Sequence, residues 1–228
     1  MQEESDRNLL KLGALGGIVG GVANIIGTFL HPATLPSDTG EARLTVIGQS
    51  PIWVPAHLLI LIGTLASVAL FVALTQSLRN TKEAGLTKLA LAFGLVGSAV
   101  SCVLMSIDGF GMKVLASSWL NAPISEKIIA FRVASAFEQV ELFLFSIFLI
   151  IYFGITFLIY GWVVNKSKIY PNYLGKAAVL AGSILILTGF YQLIFGLSVI
   201  TIAIFTLCWT IQGVFLLLVG INMWRKRI

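Results

Sequence analysis

Six long stretches of mainly apolar residues dominate this chain of 228 residues. A helix that spans a bilayer needs ~20 mainly apolar residues, and each stretch is long enough. They cover roughly 9–30, 54–76, 88–107, 133–164, 177–197 and 199–223. Only 11% of the residues are charged, whereas soluble domains carry about 25%. So few charges cannot cover a water-facing surface, so most of the chain must face lipid.

The continuity of these stretches predicts their secondary structure. Lipid offers no hydrogen bonds to bare backbone, so a spanning segment must be a helix or a strand of a closed barrel. Barrel strands alternate apolar and polar residues, and these stretches do not. We therefore predict an all-α, polytopic membrane bundle of six transmembrane helices, in one domain over residues 1–228. The acidic start, MQEESDRNLLK, lacks the basic region of a cleaved signal peptide, so we expect the first stretch to be a retained helix.

A short sequence frame occurs three times, each time near the start of an odd-numbered stretch. Leu-x-Lys-x-small-x-x-x-Gly begins at Leu9, Leu86 and Leu174. The lysine suits an interfacial anchor, and the glycine allows close approach of another helix. The frame favours three helical hairpins that derive from one repeated unit. The alternative is that such residues are common at helix starts.

Orientation is predicted from the distribution of lysine and arginine, which are enriched in cytoplasmic loops. With the N-terminus inside, eleven of these residues lie on the inner side and four on the outer side. The four outer residues are Arg43, Lys113, Lys127 and Arg132. We expect both termini to be cytoplasmic in a bacterial inner membrane. The net charge of +5 is then a topology signal rather than a sign of nucleic-acid binding, and the lipid bilayer is the expected partner.

Five titratable residues fall in one layer at the outer end of the predicted bundle. At 1.5 Å per helical residue, His31 and Asp108 each lie ~30 Å above the lysine at the start of their helix. His57 opens the second helix from the same side, and Glu138 and Glu141 share one face of the fourth. The middle of the bundle contains no Asp, Glu, Lys, Arg or His, which argues against an ion-coupled transporter.

This layer suggests chemistry, although no fixed motif accompanies it. His31, His57, Asp108 and Glu141 are candidate ligands of a transition metal. His31 and His57 are also candidate axial ligands of a b-type haem. Asp108, Glu138 and Glu141 are the candidates for acid–base catalysis. The competing interpretation is that all five are ordinary wet residues at a membrane surface.

Two outer connections contain predicted helices. A start signal at Ser37–Thr39 and a stop at Gly48 favour a helix over about 38–47. The connection after Asp108 begins with turn signals at Asp-Gly and Gly-Met. An amphipathic segment, Met112–Trp119, then suits the bilayer surface.

The layout resembles an uncharacterised family of small six-helix bacterial membrane proteins, a domain of unknown function. The resemblance lies in Ser37–Leu74, in Gly154–Gly175 and in the glycine-bearing helix that follows. It implies a bacterial inner-membrane protein with no established activity, and it assigns no functional residues.

Three functional hypotheses remain open from the sequence. One is a membrane protein that binds a metal, a haem or a small ligand in the outer polar layer. Another is a structural or assembly subunit that packs against a larger membrane complex or against copies of itself. A third is a membrane enzyme that acts on a lipid or isoprenoid. Whether the protein is an enzyme at all is not decided by these residues.

Overall fold

The computed structural model describes residues 2–32 and 38–226, and within these ranges the chain is helical with no strand. The helices are α1 Gln2–Leu30, α2 Gly40–Gln49, α3 Trp53–Ser77, α4 Ala84–Met105, α5 Met112–Asn121, α6 Ile124–Phe148, α7 Phe157–Ser167, α8 Asn172–Phe195 and α9 Val199–Lys226. Two π-helical segments, Ser106–Gly111 and Leu149–Thr156, join α4 to α5 and α6 to α7. The all-α prediction is confirmed.

Six continuous helical segments are long and apolar enough to cross a membrane, as predicted. They are Glu4–Leu30, Trp53–Ser77, Ala84–Asn121, Ile124–Ser167, Asn172–Phe195 and Val199–Arg225. The chain is therefore a multi-pass membrane protein by the length and composition of its helices.

The third segment is longer than predicted, because the helix does not stop at Asp108. The turns expected at Asp108–Gly109 and Gly111–Met112 are wrong: these residues lie in π-helical turns that lead directly into α5. The short helix expected at about 38–47 is present as α2, capped by the Thr39 hydroxyl, which accepts a hydrogen bond from the Ala42 N–H. The helix expected over Met112–Trp119 is present as α5.

Helices α2 and α5 pack together at the end of the bundle where α1 ends and α3 begins. A small core between α2, α5 and α6 contains Leu44, Ile47, Met112, Trp119 and Ala134. The Lys113 ammonium donates to three carbonyl oxygens at the end of α2, at 2.7–3.0 Å. The apolar face of α5 thus packs against protein.

Glycines bring α1 into close contact with two neighbours. A Cβ atom on Gly16 would lie 2.5 Å from the Ala66 carbonyl oxygen in α3. A Cβ atom on Gly21 would lie 2.6 Å from the Gly213 carbonyl oxygen in α9. Side chains at these places would force the backbones apart, as expected for small-residue interfaces in membranes. This contact fixes the end of α1, where His31 follows.

Hydroxyl contacts hold α3 against the fourth membrane segment. Tyr152 shares a hydrogen bond with the Ser67 hydroxyl. The Tyr160 hydroxyl lies 2.8 Å from Thr75 Oγ1 and 2.9 Å from the Phe71 carbonyl oxygen. Because both tyrosines are fully buried, these bonds satisfy groups that lipid could not. They position α3, which contains His57.

Candidate metal centre

Three of the predicted site residues meet at one end of the bundle. His31 directly follows α1, His57 lies in the first turns of α3, and Asp108 lies in the first π-helical segment. The His31 and His57 Nε2 atoms are 3.1 Å apart, and His57 Nε2 is 2.9 Å from Asp108 Oδ2. Each of the three residues offers one ligand atom, and these three atoms all lie within 4.8 Å of one another. This is a compact arrangement of donors that bind divalent transition metals.

Backbone contacts determine the tautomers of both imidazoles. His57 Nδ1 is 2.7 Å from the Trp53 carbonyl oxygen, and His31 Nδ1 is 3.0 Å from the Pro32 carbonyl oxygen. A carbonyl oxygen can only accept, so each neutral ring carries its proton on Nδ1. In these neutral tautomers both Nε2 lone pairs face the Asp108 carboxylate and are repelled by it. A cation placed there removes this repulsion, and metal-binding histidines commonly donate their second nitrogen to a carbonyl in this way.

Trp53 and Gly109 hold the three residues in place. The buried Trp53 ring packs against both histidines, with ring centroids 5.0 Å from His31 and 4.7 Å from His57. Its Nε1–H donates to the Asp108 carbonyl oxygen at 3.0 Å. A Cβ atom on Gly109 would lie 2.6 Å from His57 Cβ, so only glycine allows this approach. One tryptophan and one glycine therefore link α3 to the segment that carries Asp108.

Burial keeps His31 neutral more readily than an exposed histidine. Desolvation lowers the pKa of His31, and the neighbouring His57 charge lowers it further. The Asp108 carboxylate and the Pro32 carbonyl oppose this shift. A neutral imidazole is the form that binds a metal.

Glu138 has a partner that the sequence did not suggest. Arg43, in α2, donates through Nε to Glu138 Oε1 at 2.5 Å and through a terminal nitrogen to Oε2 at 3.1 Å. This two-point hydrogen bond holds the pKa of Arg43 above its usual value. Arg43 was counted only as one of four outer basic residues. Its pairing leaves Glu138 a less available acid or base than Glu141.

Glu141 lies on the wall of a cavity that also contains the His–Asp cluster. The cavity has a volume of about 450 Å³. The Glu141 side chain is half-buried, and among residues 2–32 and 38–226 no hydrogen bond or ion pair occupies its carboxyl group. It is not one of the three residues whose ligand atoms cluster. Its carboxyl group therefore faces the same cavity as the His–Asp cluster.

The geometry suits a single ion better than a haem bound between the histidines. Two axial nitrogens at about 2.0 Å from a metal are about 4 Å apart across the porphyrin plane. The 3.1 Å separation of the two Nε2 atoms leaves no room for that plane. The third donor, Asp108, also lies beside the histidines, where the macrocycle would be.

Fold and cluster together define a class: a multi-pass helical membrane protein with a His–His–Asp cluster on a cavity at one end of its bundle. Comparisons of the chain with protein-family models, with curated proteins and with solved structures find no match.

Proposed function

We propose that this protein is a membrane metalloprotein in which His31, His57 and Asp108 bind one divalent transition-metal ion. The observation that supports this most directly is the convergence of two Nε2 lone pairs on a carboxylate, with both Nδ1 atoms held by carbonyl oxygens. Two imidazoles and one carboxylate are a donor set typical of zinc and of non-haem iron. Three protein ligands leave a position open for water or another ligand.

Glu141 has the second role in this proposal. It lines the same cavity and is free of the ion pair that occupies Glu138. A carboxylate in this position would serve either as a further metal ligand or as a proton acceptor beside the metal.

Metal binding is tested on the purified full-length protein in detergent, loaded with Zn²⁺ and washed. We expect about one Zn²⁺ per chain by mass spectrometry, and at least a tenfold weaker affinity in Asp108→Asn. Asp6→Asn is the matched control, because Asp6 is also an ion-paired aspartate but pairs with Arg79 at the opposite end of the bundle. A wild-type protein that retains no zinc, iron or manganese, or two variants with equal affinity, contradicts the proposal.

We also propose a bacterial inner-membrane location with three helical hairpins and both termini in the cytoplasm. The excess of lysine and arginine at the end opposite the metal centre supports this orientation. Contacts between α1 and α3 and between α8 and α9 are compatible with hairpins. Reporter fusions at each terminus test it: activity of a periplasmic reporter at either end would contradict the orientation.

A further inference from the structure

The cavity beside the metal centre changes from polar to apolar along its length. On each of three helical segments, the charged or imidazole residue lies near the outer end, and the apolar lining residues lie one to three turns deeper. His57 is followed by Ile60 in α3, and Asp108 is preceded by Leu104 and Met105. In α6, Glu138 and Glu141 are followed by Leu142, Phe145 and Phe148. The deeper part, which also includes Ile202, Phe205 and Trp209 of α9, is called the apolar chamber below.

The depth of the cavity matches one leaflet of a bilayer. Glu138 and Phe148 both line it and are ten residues apart in one helix, which corresponds to about 15 Å. The hydrocarbon core of a bilayer is ~30 Å thick. A molecule with its polar group beside the metal and a chain in the apolar chamber would thus be oriented as a lipid is in one leaflet.

The formal charge of the cavity lining indicates which polar group a bound molecule would carry. One cationic side chain, Arg43, and three carboxylates, Asp108, Glu138 and Glu141, line the cavity. With both histidines neutral and all three carboxylates ionised, a single divalent ion brings their formal sum to zero. A phosphate or a carboxylate would add uncompensated negative charge in a partly buried site, which is costly. An uncharged carbonyl or hydroxyl oxygen adds none and can occupy the open metal position.

We infer that the cavity binds one neutral single-chain amphiphile, with an ester or hydroxyl oxygen on the metal and its acyl chain in the apolar chamber. This inference rests on the proposed metal site for the head group, whereas the chamber is independent of the metal. A volume of about 450 Å³ is within the range of small-molecule sites, and it favours one chain over two.

Thr206 and Thr210 provide a matched pair of positions on α9. Both are half-buried, and each donates its hydroxyl to the carbonyl oxygen four residues earlier, at 2.9 and 2.8 Å. Thr206 lines the cavity, whereas Thr210, one turn deeper, is not part of its wall. A tryptophan at 206 fills the chamber, and the same change at 210 leaves it open.

The test uses zinc-loaded full-length protein in phosphatidylcholine nanodiscs, with 1-monopalmitoylglycerol as the probe and native mass spectrometry as the readout. We expect one monopalmitoylglycerol per chain. We also expect at least tenfold weaker binding in Thr206→Trp, unchanged binding in Thr210→Trp, and weaker binding after zinc is removed. Palmitate and monopalmitoyl phosphate, which have similar chains but charged heads, should bind at least tenfold more weakly. Zinc content and thermal melting of every sample are measured alongside.

The outcomes separate the two proposals. Absence of zinc from the wild-type protein overturns the metal site, and the Thr206→Trp and Thr210→Trp comparison still tests the chamber. Zinc bound with no monopalmitoylglycerol, or equal binding by both tryptophan variants, overturns the amphiphile site alone. Equal binding of palmitate or of the phosphate ester overturns the assignment of a neutral head group.

Discussion

The Nε2 atoms of His31 and His57 lie 3.1 Å apart, although 26 positions separate the two residues in the chain. Each ring has its other nitrogen against a main-chain carbonyl oxygen. The end of α1 and the start of α3 therefore present two lone pairs to one point in space. Asp108 brings a carboxylate oxygen to the same point, 2.9 Å from His57 Nε2.

Gly109→Ala is expected to weaken Zn²⁺ binding by at least tenfold. The added methyl group would lie 2.6 Å from His57 Cβ and 2.9 Å from Cγ, so His57 or the Asp108 segment must move. Small displacements of ligands and of their supports cost metal affinity on this scale. The control is Gly85→Ala, where the methyl group would meet no atom within 4 Å. Equal zinc affinity in the two variants would show that the approach of Gly109 is unimportant.

Trp53→Phe is expected to weaken metal binding by about tenfold while the protein stays folded. Phenylalanine retains a ring against the two histidines but loses the Nε1–H donated to the Asp108 carbonyl oxygen. Groups that position metal ligands are typically worth about 10–100-fold in affinity. Trp162→Phe, a change at an exposed tryptophan that contacts Lys166, is the control. Zinc titrations measure the affinity of both variants. An unaltered affinity in Trp53→Phe would contradict the role of Trp53 in positioning Asp108.

In the metal-free protein, the contribution of His31 to stability is expected to fall as the pH drops below about 6.5. His31 has a lowered pKa when folded, against about 6.5 when unfolded. Between these two values the unfolded state binds more protons, so stability rises with pH there. The contribution is complete above about pH 6.5 and is lost as the pH falls through the folded pKa. Thermal melting from pH 5 to 7.5 should show a smaller decline in His31→Gln than in the wild type; equal declines would contradict this.

Arg43 and Glu138 are expected to be energetically coupled. Their two hydrogen bonds are half-buried, and removal of either partner leaves the other charge poorly solvated. In a double-mutant cycle of Arg43→Met and Glu138→Gln, we expect a coupling of roughly 1 kcal/mol, near the upper end for exposed pairs. Chemical denaturation of the four proteins measures it. Effects that simply add would mean that the pair does not stabilise the contact between α2 and α6.

Sequence reasoning was sufficient for the helices because the lipid constraint is strong. A continuous apolar run such as 54–76 can cross a bilayer only as a helix. The structure places α3 at Trp53–Ser77. Depth counting also placed His31, His57 and Asp108 at one level, and the structure brings them into contact. Counting residues gives the height of a side chain along the helix axis, but it does not give the direction of that side chain around the axis.

That missing direction explains what the sequence did not predict. Arg43 lies in a connection, and nothing in its neighbours shows that it reaches Glu138 in the fourth membrane segment. No sequence motif marks Trp53 as part of the site, although its position four residues before His57 places both on one helix face. The continuation of α4 past Asp108 was also missed, since Asp-Gly usually favours a turn. Here Gly109 and Gly111 lie within the π-helical turns, and the helix continues through them.

The π-helical segment Ser106–Gly111 has a consequence for how this site tolerates insertions and deletions. Such turns hold one more residue than an α-helical turn, and they commonly occur as single-turn bulges. Removal of one residue between Met105 and Asp108 would favour a regular helix and change the direction of the aspartate around the helix axis. The carboxylate would then point away from the two imidazoles, so the cluster depends on the number of residues in this segment.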